Sequence, residues 1–179
     1  MQHTSEPRSS TKPLLNATPR YQISSNIDCS LPSDDYIHII DQLRRNQASL
    51  LTQMRTGHVP LNTILFRIKR ADSPDCPHCK NGIHETLLHF LLFCPHYIFA
   101  RQILTTALRR DASSIPYLLG NRKGIPHLLR YVDSTNRFHR TLGALRPPTD
   151  FVIKNKEPKQ RPNTRATPSP PLSDQNAPS

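Results

Sequence analysis

Cys76, Cys79, His89 and Cys94 are the residues of this chain whose types and spacing could do chemistry together: Cys-x2-Cys, nine residues, then His-x4-Cys. The tight turn Cys76-Pro77-His78-Cys79 presents two sulfurs to one ion. Thiolate and imidazole are preferred donors of zinc, and four of them fill its tetrahedron. A closed site of that kind holds structure and leaves no position at which water is activated. His89 and Cys94 are five residues apart, which on a continuous α-helix separates them by roughly 140° in angle. Pro95 biases Cys94 away from helical geometry. The sequence therefore predicts a helix that projects His89, with Cys94 at a bend just beyond it. Three other histidines compete for the third position. His78 lies inside the turn and points away from an ion held by its neighbours; His96 follows the bend; His84 stays in contention. The plainer alternative is that the three cysteines are reduced, half-buried thiols. Cys29 stands alone in a polar segment and reads as a free thiol.

Other chemistry has less to stand on. General acid–base hydrolysis needs carboxylates or histidines converging in a pocket, and the acidic residues here are few and scattered among turns and helix starts. No catalytic role, and no small-molecule substrate, is expected. The cations are a stronger signal. The formal net charge is +11, and nine Lys and Arg residues between Arg101 and Arg146 stand against Asp111 and Asp133. Such a surface attracts polyanions by counterion release and long-range steering. Arg101, Arg109, Arg110, Arg122 and Lys123 are the expected phosphate contacts to RNA or DNA. The bland reading of the same charge is a solvated surface. Tyr97, Phe99 and Tyr117 lie near this basic segment, too few aromatics to promise base reading.

These residues must be positioned by a small body. Hydrophobic residues make up 35% of the 179, with 18 prolines and no tryptophan, so part of the chain cannot bury a core. Residues 1–30 and 146–179 read as disordered, and residues 31–145 as one mostly α domain with the knuckle at 76–94. Ser33 before Asp34-Asp35 is a helix start. Tyr36, Ile37, Ile40 and Leu43, then Leu50, Leu51 and Met54, continue a helical stripe to Gly57, which suits the C′ position. Pro60 fits as the start of the next helix, where Leu61, Ile64, Leu65 and Ile68 repeat at i, i+3, i+4 and i+7 and read as core. Asn81-Gly82 marks a turn within the knuckle. Helices follow from Pro95 to about Arg110, around Ser114 to Leu119, and from Pro126 through Val132; no strand or repeat is expected. In a body this small, a structural zinc contributing about 10–16 kcal/mol matches the whole net stability of a domain, about 5–15 kcal/mol. Its removal is expected to loosen residues 61–110.

No secretory signal is read in Met1 to Pro13, and no apolar run is long enough to span a bilayer. An intracellular location, nuclear or cytoplasmic, is expected, where paired cysteines read as metal ligands rather than a disulfide.

Several blocks in order carry a resemblance: Ala48-Ser49-Leu50-Leu51-Thr52-Gln53-Met54-Arg55-Thr56-Gly57-His58-Val59-Pro60-Leu61-Asn62, then Asp72-Ser73-Pro74 before Cys76-Pro77-His78-Cys79. Glu85-Thr86, His89-Phe90-Leu91-Leu92 and Cys94-Pro95 follow, with a weaker echo at Leu118-Leu119-Gly120, Tyr131-Val132 and Arg137-Phe138. Over residues 46–138 the chain resembles the C-terminal zinc-knuckle region of fungal LINE-type (non-LTR) retrotransposon polyproteins, downstream of the ribonuclease H domain. The resemblance implies the ligand roles of Cys76, Cys79, His89 and Cys94 and a knuckle contacting template nucleic acid. The nine-residue gap is slightly longer than the commonest family spacing, which keeps His84 in view. The reverse transcriptase Asp-Asp pair and the ribonuclease H carboxylates have no counterpart; Asp34-Asp35 opens a helix and precedes Tyr36. The expectation is a non-catalytic zinc module derived from such an element, with a protein-interaction scaffold or a non-functional element fragment as alternatives.

Overall fold

A computed structural model describes Ser25 and residues 34–79 and 82–155. The Ser33 cap, Cys29, Asn81 and the tail segments 1–24 and 156–179 lie outside the described residues. Within them the chain is helical, with one isolated bridge, Asp75 to His84, in place of any strand. The elements are α1 (Asp34–Asp41), α2 (Arg45–Arg55), α3 (Asn62–Arg67), a π-helical turn (His89–Phe93), a 3-10 turn (Pro95–Tyr97), α4 (Ile98–Leu108), a second 3-10 turn (Arg109–Ser113), α5 (Ile115–Gly120), α6 (Gly124–Ser134) and α7 (His139–Leu142). No helix among them is long and apolar enough to cross a membrane.

The expected stripe from Tyr36 to Met54 is divided between α1 and α2. The break is held by Gln47, whose Oε1 accepts the Arg44 N–H at 3.0 Å while its Nε2 donates to the Leu145 carbonyl at 2.7 Å. A buried amide needs both partners, so Gln47 sets the start of α2 and ties it to the far end of the domain. The end of α2 is as the sequence predicts. Gly57 has φ 69°, its N–H reaches Met54 O at 3.2 Å and His58 N–H reaches Gln53 O at 2.8 Å, the paired bonds of a Schellman motif.

The helix after Pro60 is shorter than its repeat implies. It starts at Asn62 with Leu61 as N-cap and stops at Arg67. Ile68 leaves helical geometry and Lys69 has φ 58°, so the i+7 position no longer shares a face with Leu61. Leu61 is buried, whereas Ile68 is 57% exposed. The core expectation for Ile68 is therefore corrected.

Helix α6 is the centre of the body and packs on α4 and α5. It buries Ile125, Leu128, Leu129, Tyr131 and Val132, together with Leu50, Leu51 and Met54 of α2, Leu104 of α4 and Leu118 and Leu119 of α5 in one core. Gly124 opens α6 under Tyr117; a Cβ there would stand 2.6 Å from the Tyr117 carbonyl. Residues 146–155, assigned to the tail from composition, pack onto this body instead. Ile153 is buried, Phe151 rests against the core, and Arg130 donates to the carbonyls of Pro148 and Thr149 at 2.7 and 2.8 Å. Isolated apolar residues in a proline-rich run give no periodic signal, which is why this packing is hidden in the sequence.

Candidate metal centre

The first half of the site is a short clip. Cys76 N–H donates to Ile83 O at 2.8 Å and Glu85 N–H to Pro74 O at 2.9 Å, so residues 74–76 and 83–85 run antiparallel past the Asp75–His84 bridge. Cys79 N–H returns to Cys76 O at 3.3 Å, closing the turn that sets both sulfurs on one side. The second half starts at Thr86, whose Oγ1 accepts the His89 N–H at 3.1 Å in the manner of a helix cap. The chain then makes a π-helical turn, and Cys94 N–H bonds to His89 O at 2.7 Å. That i to i+5 bond stacks His89 and Cys94 one turn apart, which a regular α-helix could not do. At Cys94 the backbone becomes extended, φ −60° and ψ 117°, ahead of Pro95. The expected bend is present, and the π turn does the rest of the aligning.

The four ligand atoms of Cys76, Cys79, His89 and Cys94 all lie within 4.8 Å of one another. Cys76 Sγ and Cys79 Sγ each stand 3.8 Å from Cys94 Sγ, and His89 Nε2 is 3.4 Å from Cys79 Sγ. Thiolate bonds of about 2.3 Å to a tetrahedral ion place sulfurs about 3.8 Å apart. The donors therefore fit one metal ion. The rival histidines are elsewhere. His84 is exposed, with its Nε2 3.8 Å from Asp75 Oδ1. His78 and His96 stack on each other, ring centroids 3.6 Å apart and planes within 3°.

Burial acts on these groups in opposite senses, favouring the neutral imidazole of His89 and disfavouring the thiolates. It lowers the His89 pKa, which favours the neutral imidazole that a metal ligand must be. It pushes the Cys94 thiol up to about 12 and raises Cys79; only a bound cation makes thiolates favourable in such a place.

The supports around the site come from the helical body. The π turn leaves carbonyls without helical partners. Tyr131 OH donates to Phe90 O at 2.6 Å, and Arg101 donates to Leu91 O from Nε at 2.8 Å and to Cys94 O from a terminal nitrogen at 2.9 Å. Phe90 itself is fully buried and meets Tyr97, Tyr131 and Phe138 at centroid distances of 5.2, 5.6 and 5.6 Å. Glu85 is 1% exposed, and Arg137 grips both its oxygens at 2.7 Å. The backbone N–H of Asn62 adds a third bond to Glu85 at 2.6 Å. The knuckle is thus bolted to α3, α4 and α6.

The chain matches no protein-family model, no curated protein and no solved structure.

The expected phosphate contacts fall into distinct settings. Arg101 is engaged at the knuckle as described. Arg109, with φ 50°, and Arg110 are exposed after α4. Arg122 pairs with Asp35 at 3.3 Å and also donates to the Lys154 carbonyl. Lys123 is exposed beside it. Of the aromatics named from sequence, Tyr97 is buried and Phe99 is 79% exposed. Sequence reasoning missed Arg101, Tyr131 and Arg137 as supports of the metal centre. The sequence marks Arg101 only as a phosphate contact, and Tyr131 and Arg137 only through the weaker blocks of the family resemblance.

Proposed function

We propose that this chain is a non-catalytic, zinc-stabilised module that binds nucleic acid, related to the knuckle region of LINE-type retrotransposon polyproteins. One observation carries the reading: three sulfurs and one imidazole nitrogen within 4.8 Å of one another. A donor set so rich in thiolate suits zinc over harder ions, and four protein donors saturate it. The ion's part is structural, holding the clip and the π turn together. Exposed Arg109, Arg110 and Lys123 and a net charge of +11 then supply the attraction for phosphate. The retrotransposon relation is supported by the order and spacing of the motifs within residues 46–138.

Metal content of the purified full chain is the test. Zinc near one equivalent is expected, lost in Cys76→Ser and His89→Ala and kept in His84→Ala. Binding to labelled single-stranded RNA and DNA, falling steeply with salt, tests the second half of the reading.

A second reading has its own observation. Phe93, Phe99 and Ile98 are 63%, 79% and 55% exposed beside the knuckle, apolar area that a protein partner could cover. Zinc in the protein with no nucleic-acid binding at low salt favours this scaffold role.

A further inference from the structure

Two cavities, of about 600 and 380 Å³, share Tyr117, Arg122, Lys123 and Val152 in their walls and so adjoin as two parts of one grooved face. Its walls come from α1, the end of α2, the end of α4, the α5–α6 connection, the first two turns of α6 and the segment 149–155. The cations along it are Arg55 in the larger part, Arg122 and Lys123 in the middle and Arg130 in the smaller part. Asp35 and Asp111 are the acids on its walls. Asp35 is 67% exposed where it meets Arg122, and a surface pair of that kind contributes little and yields readily to a stronger anion.

Three features make the groove more than a charged surface. Arg122 and Arg130 are held in place by backbone carbonyls of Lys154, Pro148 and Thr149. Each guanidinium carries five N–H donors, so these anchors use only part of its capacity. Aromatic rings share the walls with the cations: Tyr36 in the larger part, Tyr117 at the junction and Phe151 in the smaller part. Tyr36 is itself backed by the Arg55 guanidinium, 3.8 Å from its ring centroid. Cations tracking a backbone with interleaved rings suit unstacked bases; contacts to duplex phosphates need no rings.

We propose that this groove, rather than the knuckle, holds a single strand of nucleic acid, its phosphates on Arg122, Lys123 and Arg130 and its bases against Tyr117 and Phe151. This rests on the nucleic-acid reading above and locates it. The metal centre then serves the groove at one remove, by fixing the helices that form its walls.

The test uses the zinc-loaded full chain with fluorescent oligouridylate, oligothymidylate and a duplex of matching length, over a salt series. Lys123→Ala is expected to weaken single-strand binding about fivefold and to reduce the salt slope by about one. Tyr117→Leu is expected to weaken it about tenfold, and Tyr117→Phe to restore it. Lys69→Ala, exposed and outside the groove, leaves binding unchanged. Because Tyr117 packs against Gly124, photo-crosslinking of the unaltered protein provides a check independent of folding, with adducts expected at Tyr117 or Phe151. No binding by the unaltered chain at low salt overturns the nucleic-acid reading itself. Binding that Lys123→Ala and Tyr117→Leu leave as Lys69→Ala does, with crosslinks elsewhere, overturns the groove alone. Duplex bound as tightly as single strand overturns the stacking role.

Discussion

Arg137 Nε and a terminal nitrogen bond to the two oxygens of Glu85, each at 2.7 Å, across 52 residues of sequence. The carboxylate is 1% exposed and the guanidinium side chain 20% exposed, so the pair joins the knuckle to the chain after α6 in a largely dry place. Breaking a buried pair from one side strands the remaining charge and costs about 3–5 kcal/mol. Arg137→Ala is therefore expected to lower the unfolding free energy measured by chemical denaturation by that amount. A change under about 1 kcal/mol would mean that Asn62 alone satisfies Glu85.

Arg101 tests whether a cation chosen from sequence as a phosphate contact is instead a support of the metal centre. Its guanidinium caps Leu91 O and Cys94 O, the carbonyls on either side of the bend that carries the last sulfur. Removing an outer support of a metal ligand typically costs 10–100-fold, about 1.4–2.7 kcal/mol, in metal affinity. Arg101→Ala is expected to release zinc about tenfold faster to a competing chelator while the salt slope of nucleic-acid binding stays the same. The reverse pattern would return Arg101 to the phosphate-binding set.

Metal uptake should depend on pH in one direction. Burial holds Cys94 in its thiol form, up to about 12, and raises Cys79, in the metal-free fold. At neutral pH an entering ion must therefore expel thiol protons, whereas His89, its pKa lowered by burial, is already neutral. Uptake that releases protons grows stronger as pH rises and weaker as it falls. Competition against a chromophoric chelator between about pH 6 and 8 should show affinity rising with pH. A flat or falling profile would contradict thiolate ligation.

Gly124 is a packing requirement. Its backbone φ is ordinary, but a Cβ would lie 2.6 Å from Tyr117 O and about as close as contact allows to the ring at 3.1 Å. The α5–α6 pair must open to admit a methyl group, at about 1–3 kcal/mol. Gly124→Ala should lower the thermal midpoint by several degrees, at roughly 3–6 °C per kcal/mol for a body between the small and medium domain sizes. It should also weaken oligonucleotide binding, since Tyr117 sits at the junction of the groove. Unchanged stability would show that α5 shifts without cost.

Much of the local architecture was legible from single residues. Gly57 ends α2, Ser114 caps α5 by accepting the Tyr117 N–H, and Pro95 forces the bend at Cys94; each acts within a few residues of itself. The choice of His89 over His84 was legible only in part, because spacing allowed both. The π-helical turn decided it, and nothing in His-Phe-Leu-Leu-Phe announces five-residue hydrogen bonding. The exposed Ile68 shows the opposite error, where a perfect helical repeat ran past the point at which the helix stopped.

The amino-acid sequence by itself determined that this is a helical body with four donors able to hold one metal ion and a strongly basic composition. Donor chemistry, helix punctuation and charge are carried by residue type and short spacing. Tertiary structure decided how the pieces work together. It drew Glu85 to Arg137 and Arg101 to the bend, and it put Phe151 and Tyr117 in the walls of one cavity. It also folded residues 146–155 back onto the core. Those relations depend on burial and on partners tens of residues away, where a polar side chain must find its mate once water is excluded, and no local pattern encodes that pairing.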